Sequence, residues 1–392
     1  MKKQIMILLL AMATILGCSS TPPPVPATDS TTVSPDTVVV PIPPTVSLVD
    51  SLLTTLSPDA LAGQMIVVYR VENDFLLRNH FGGVLLFKSM LKDPDQLKAD
   101  MAALQADAPL GYFVCLDQEG GSVSRLDAIP GWEEGTPGAV DMATWPVDSV
   151  QAEGRRIGLA LADLGVNLNL APVLDRAQAW DGSQGWMGRR RRAFGSSDDE
   201  ILPPARAFSM GCREAGVACL AKHFPGYDVA ENSDLEPARS GADSAAIMNG
   251  VSRFAAAADV VSGVMMSSII YPPLGEEPAV LNPRVVGLAR LASPGGLVMT
   301  DDLWGTALRA WQRPDLQILP TEYPEEDWAA LVERALFAGN DLLLVTYPAK
   351  AVRMRKVLVK LMAEDPQARQ RVVEAVRRIL EVKARMELLD TP

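Results

Sequence analysis

The chain has 392 residues, a net charge of −12 and 48% apolar residues. That acidity gives no basic field to hold a phosphate backbone, so no nucleic-acid partner is expected. Two histidines and four irregularly spaced cysteines build neither a metal cluster nor a disulfide framework, and no cofactor is expected.

The N-terminus reads as a processing signal. Met1-Lys2-Lys3 is basic, and residues 5–16 are apolar but too short to span a bilayer as a mature helix. Leu16-Gly17-Cys18 then resembles a bacterial lipobox, with residues 1–17 as signal and Cys18 as the lipidated mature N-terminus. An ordinary signal peptide with an incidental cysteine is the alternative. Residues 18–45 are rich in Pro, Thr, Ser and Val without apolar periodicity, and read as a tether lifting a domain off a membrane. Ser19 suits sorting to the outer membrane, facing the periplasm or the exterior, so the expected location is the cell envelope.

Residues 46–392 are long for one domain but normal for an α/β barrel. Eight short apolar runs recur, at 65–69, 84–87, 112–116, 168–174, 217–221, 263–266, 297–299 and 342–345. Continuous apolarity without alternation is what strands buried on both faces require. Cys115 and Cys219 fall inside such runs and read as buried thiols. Between the runs lie amphipathic stretches at 93–106, 147–164, 199–215, 244–257 and 328–338. Asp93 is the expected N-cap of the first, with Pro94 behind it, and Gly165, Gly216 and Gly339 stop three of them. The alternation predicts an α/β fold, a single-domain (β/α)8 TIM-type barrel, against a doubly wound open sheet as rival. The tail, 367–389, reads as a long amphipathic helix capping the barrel.

Barrel sites are built at the C-terminal ends of strands. Reading just past the runs gives Asp117, Asp175, Lys222 with His223, and Asp301 with Asp302. An acid-rich stretch, Asp228, Glu231, Asp234 and Glu236, follows the fifth run. Acids arriving from two loops suit glycosidic bond cleavage, where one carboxylate attacks and a second group serves as acid/base. Asp117 precedes paired glycines and Arg125, a set that can fork onto neighbouring hydroxyls, although a helix-capping Asp117 is the bland alternative. Arg189, Arg190 and Arg191 read as a solvated face, and Arg192 as a pocket residue.

These blocks resemble glycoside hydrolase family 3, in its single-domain β-N-acetylhexosaminidase branch. The matching elements are Asp117-Gln118-Glu119-Gly120-Gly121 through Leu126, Asn169 to Asp175, Arg192-Ala193-Phe194-Gly195, Lys222-His223-Phe224-Pro225-Gly226, Thr300-Asp301-Asp302-Leu303 and Ala338-Gly339-Asn340-Asp341. The resemblance implies Asp301 as nucleophile, with Asp117, Arg125, Arg192, Lys222 and His223 holding sugar hydroxyls. It also implies a carbohydrate substrate, of cell-wall type or derived from chitin, and a chain expected to act as a monomer.

The chain departs from that family where the acid/base should be. The branch carries an Asp-Ser-His dyad, whereas here a shorter loop reads Asn232-Ser233-Asp234. His223 is taken by sugar binding and His80 precedes a strand, at the wrong barrel end. Ser268 stands where another histidine is usual. The expected replacement is a carboxylic acid, Asp234 by position, with Glu231 and Glu236 as alternatives. An impaired, sugar-binding lipoprotein is the second reading, and a β-glucosidase the rival within the enzymes.

Overall fold

The computed structural model describes residues 44–315 and 323–389. The expected signal, the lipidation site Cys18 and the tether to residue 43 lie outside them. The described chain opens with the helix Pro44–Thr55, so the last two positions assigned to the tether are helical. A proline suits a helix's first turn, where its missing N–H is not needed.

Every apolar run yields strand. They are β1 (Ile66–Tyr69), β2 (Gly83–Leu86), β3 (Phe113–Leu116), β4 (Leu168–Asn169), β5 (Ala218–Cys219), β6 (Ala221–Phe224), β7 (Gly263–Met266), β8 (Leu297–Met299) and β9 (Leu343–Val345). All pairings between them are parallel. One sheet runs β5-β4-β3-β2-β1-β9 and the other β6-β7-β8. Single parallel bridges join segments of the two at both junctions, Val173 with Lys222 and Met299 with Leu342.

Two runs behave differently from expectation. The run 168–174 is strand only at Leu168–Asn169, because Pro172 has no N–H for a ladder and gives only its carbonyl, to Lys222 N at 3.0 Å. The run 217–221 splits at Leu220, whose N–H bonds Asn169 O before the chain shifts to Pro172 O. Burial explains the rest, since Val67, Val84, Val114, Val264 and Val298 are wholly enclosed between helices and the interior.

The helices follow their caps. Asp93 Oδ1 accepts from Gln96 N at 3.1 Å and opens the helix Pro94–Asp107. Gly339 takes φ 112° and ends the helix Glu325–Ala338, a left-handed stop that side chains resist. The tail helix, Pro366–Arg385, finishes beneath the N-terminal ends of strands, where Gly111 N bonds Leu388 O at 2.9 Å. Its Lys383 is fully buried, donates to Gln64 Oε1 at 2.7 Å and lies 5.1 Å from the Phe113 ring.

Burial pushes the Lys383 ammonium down to about 7, with the Cys115 thiol acting in the opposite direction. The unfolded lysine keeps its proton up to about 10.5, so stability rises with pH between those two values. Lys383→Met should therefore stabilise the protein, on the order of 2 kcal/mol at pH 6, with the gain shrinking toward pH 10. Calorimetric melting at the two pH values checks this; a variant that melts lower than wild type at pH 6 contradicts it.

Candidate active site

The C-terminal strand ends surround one cavity of about 260 Å3. Asp117 and Glu119 reach it from beyond β3, Lys222 and His223 from β6, Asp301 and Asp302 from beyond β8. Arg125, Arg192 and Asp234 arrive on loops. All seven residues expected at a sugar site, Asp117, Arg125, Arg192, Lys222, His223, Asp234 and Asp301, line it. Arg189, Arg190 and Arg191 are exposed, as a solvated run should be.

Lys222 and His223 are neighbours in a strand, where side chains normally alternate between faces. The register slips between Lys222 and Phe224 against β7, and the Lys222–His223 peptide bond is cis. A residue left over in a ladder is re-aimed, and here both side chains face the cavity.

A charged network forms the cavity's inner wall. Lys222 Nζ donates to Asp117 Oδ1 at 2.6 Å and lies 2.7 Å from Glu119 Oε1. Arg192 forks onto Glu119 with Nε to Oε2 and Nη2 to Oε1, both at 2.8 Å. Arg125 stands 3.8 Å from Asp117 Oδ2. Burial alone would raise the Glu119 pKa; the Arg192 and Lys222 charges win and hold the carboxyl well below the usual range. Against its own desolvation and the charge of Arg192, Asp117 and then Glu119 keep the buried Lys222 protonated.

Asp175 is fully buried and orders the neighbouring imidazole. Its Oδ2 lies 2.6 Å from His223 Nδ1, and Oδ1 accepts from His223 N at 3.1 Å and Tyr227 N at 2.7 Å. A carboxylate at Nδ1 fixes the proton there and leaves Nε2 for a ligand.

Asp301 and Asp302 have opposite surroundings. Asp302 Oδ1 accepts from Trp304 N at 3.0 Å and Thr346 N at 3.1 Å, and Oδ2 from Thr346 Oγ1 at 2.5 Å. Both its oxygens are engaged in holding the loop to the end of β9. Asp301 Oδ1 accepts one bond, from Asp302 N at 2.8 Å, and its Oδ2 has no partner among the described residues. Burial, then the charge of Asp234, pushes Asp301 up to about 6, with His223 opposing.

The loop that carries Asp234 is built, not slack. Tyr227 donates its hydroxyl to Glu231 O at 2.7 Å and accepts from Ser233 N at 2.6 Å. Trp186 N bonds Val229 O and Trp180 N bonds Asp228 O, each at 2.8 Å. All three acids weighed for this loop are exposed, and of them Asp234 alone lines the cavity. His80 ends the helix Asn73–Asn79 ahead of β2, away from the cavity.

The sequence profile of the glycosyl hydrolase family 3 N-terminal domain matches residues 59–382. The chain belongs to glycosyl hydrolase family 3. It is 31% identical over 335 residues to the beta-hexosaminidase LpqI of Mycobacterium tuberculosis, covering 77% of this chain and 80% of that protein. A beta-hexosaminidase of Stenotrophomonas maltophilia is 29% identical over 294 residues, covering 71% and 79% respectively. Among solved structures, the beta-N-acetylhexosaminidase of Beutenbergia cavernae superposes with a TM-score of 0.70 at 29% identity, over 84% of this chain and 99% of that one.

Family 3 membership leaves one member of the wall that the sequence did not mark out. Glu119 stood inside the Asp117-to-Gly121 motif without a role, although its spacing of two from Asp117 is the one that shares a side wherever a chain is extended. Asp175 was placed at a strand end and is the residue that orients His223.

Glu119→Gln should destabilise the fold by about 3 kcal/mol at pH 7, because the buried Lys222 and the partly buried Arg192 lose their shared counter-charge. A depressed carboxyl contributes stability above its unfolded pKa, near 4.5, and loses it as pH falls. The gap between variant and wild type should thus narrow below pH 4.5; urea titrations showing a constant gap from pH 7 to 3 would contradict it.

Proposed function

We propose that the protein is a retaining, exo-acting β-N-acetylhexosaminidase of the bacterial cell envelope, with Asp301 as nucleophile and Asp234 as acid/base. The observation that carries the proposal is the asymmetry of the carboxylate pair. Asp302 spends its oxygens on Thr346 and Trp304, whereas Asp301 offers a free oxygen to a cavity whose opposite wall is Asp117, Lys222 and Arg192. A sugar held there by its hydroxyls presents its anomeric carbon to Asp301, and the attack gives a covalent glycosyl-enzyme. Asp234 protonates the departing oxygen and then activates water, as a carboxylic acid does in the commoner glycosidase arrangement. The names of the relatives support β-N-acetylhexosaminides, and the charged wall across one side of the cavity supports removal of terminal residues.

Closure of the two parallel sheets into one (β/α)8 barrel belongs to this proposal. The bridges at Val173 and Met299, and the site at the C-terminal strand ends, support it. A lipid anchor on Cys18 and a role in peptidoglycan turnover rest on the sequence of the N-terminal segment and the expected substrate. A second reading, a pocket that binds sugar without hydrolysis, is favoured by Asn232-Ser233-Asp234 in place of the family's histidine-bearing dyad.

Turnover of 4-nitrophenyl β-N-acetylglucosaminide decides between them. The wild-type domain should hydrolyse it with retention, and Asp301→Asn should abolish this. Because Asp301 must be ionised to attack, kcat/KM should fall about tenfold per pH unit below about pH 6. Asp234→Asn should slow poor leaving groups at least tenfold more than nitrophenolate, with azide rescuing the second step. Inversion by NMR sinks the mechanism, and binding without turnover in the wild type establishes the second reading.

A further inference from the structure

Asp234 sits on a segment with few holds. It is exposed, its N–H reaches Asn232 Oδ1 at 3.2 Å, and its carboxylate oxygens have no hydrogen-bond partner among the described residues. Its place at the cavity is therefore set by the backbone that carries it.

That backbone divides into two halves. Residues 228–230 are held from outside, by Trp180 N on Asp228 O, Trp186 N on Val229 O and Arg189 Nη2 on Ala230 O. Residues 231–234 curl on themselves instead, with Leu235 N and Glu236 N returning to Asn232 O at 3.0 and 3.1 Å. Among the described residues, the hydrogen bonds that tie this second half to anything beyond its own turn both end on the Tyr227 hydroxyl. It donates to Glu231 O at 2.7 Å and accepts from Ser233 N at 2.6 Å, on the residue just before Asp234.

Tyr227 is itself fixed. It is 4% exposed, and its N–H donates to Asp175 Oδ1 at 2.7 Å, on the carboxylate that also holds His223 Nδ1. Its ring meets the His223 ring edge-on, with centroids 5.7 Å apart. Burial pushes the phenol up to about 12, so it keeps its proton and can donate while it accepts. A phenylalanine would fill the same space and keep the backbone bond to Asp175. Only the hydroxyl adds the two further bonds, and both go to the segment that presents Asp234.

We infer that Tyr227 is a positioning residue for acid/base catalysis, its hydroxyl holding residues 231–233 so that the Asp234 carboxylate stays within reach of the departing oxygen. This rests on the reading of Asp234 as acid/base. A general acid displaced by a fraction of an ångström still fills its place but transfers its proton poorly. The loss then falls on leaving groups that need the proton and spares those that depart as stable anions.

The test measures kcat/KM for wild type, Tyr227→Phe and Asp234→Asn on aryl β-N-acetylglucosaminides running from phenyl to 2,4-dinitrophenyl. Tyr227→Phe should lose about tenfold or more on the phenyl glycoside and less than about twofold on the dinitrophenyl one, in the same sense as Asp234→Asn. Placing 4-aminophenylalanine at position 227 restores a donor to Glu231 O and should recover part of the phenyl rate. If the hydroxyl only supports the fold, Tyr227→Phe melts lower and loses equally along the series, which overturns the inference, as does an unchanged series. Should Tyr227→Phe fail to fold by circular dichroism, the 4-aminophenylalanine variant decides, with a severalfold loss expected on the phenyl glycoside alone and an even loss overturning it. A leaving-group dependence in Asp234→Asn without one in Tyr227→Phe sinks the role of Tyr227 alone. An even loss in Asp234→Asn, or a wild type that turns over no member of the series, sinks the acid/base reading and the role of Tyr227 with it.

Discussion

One buried carboxylate sets the terms for the rest of the pocket. Glu119 lies beyond β3 with almost no exposure, and it is charged only because Arg192 and Lys222 bring two cations to it from separate parts of the chain. Among the described residues, Arg192 has no other carboxylate within hydrogen-bond distance, and Lys222 shares only Asp117 besides. The three therefore fix one another, and with Asp117 they turn the loop after β3, the loop around Arg192 and the end of β6 into one rigid wall. A wall that is already paired does not collapse onto itself when empty, so its remaining donors and acceptors stand ready for hydroxyl groups.

Opposite that wall, the division of labour between Asp301 and Asp302 follows from hydrogen-bond supply. Two adjacent carboxylates in the same loop would be interchangeable by composition. Thr346 and the backbone of Trp304 claim Asp302 entirely and leave Asp301 with one donor. Asp301 is consequently the more poorly stabilised anion, which is what a nucleophile poised near neutral pH requires. His223, held by Asp175, supplies a polar neighbour without closing off the free oxygen.

Much of this was legible in the sequence, because the strands are short continuous apolar runs and the charged residues follow them directly. The helix starts and stops were equally readable at Asp93 and Gly339, where a capping side chain or a left-handed residue is demanded by the backbone itself. What escaped depends on pairing across the fold. Glu119 looked like one more acid in a motif until Arg192, far along the chain, was seen to fork onto it. Position favoured Asp234, but the sequence left Glu231 and Glu236 open, since the loop's shape depends on Tyr227, whose hydroxyl ties Glu231 O and Ser233 N beside Asp234 at the cavity.

The central claim is that Asp301 forms a covalent bond to the sugar. Incubation with a slow 5-fluoro-N-acetylglucosaminyl fluoride, followed by proteolysis and mass spectrometry, tests it directly. The account predicts that the peptide containing Asp301 and Asp302 gains the mass of one fluorosugar, and that fragmentation places it on Asp301. Label on Asp302, on Asp234, or on no residue while the reagent is consumed would contradict it.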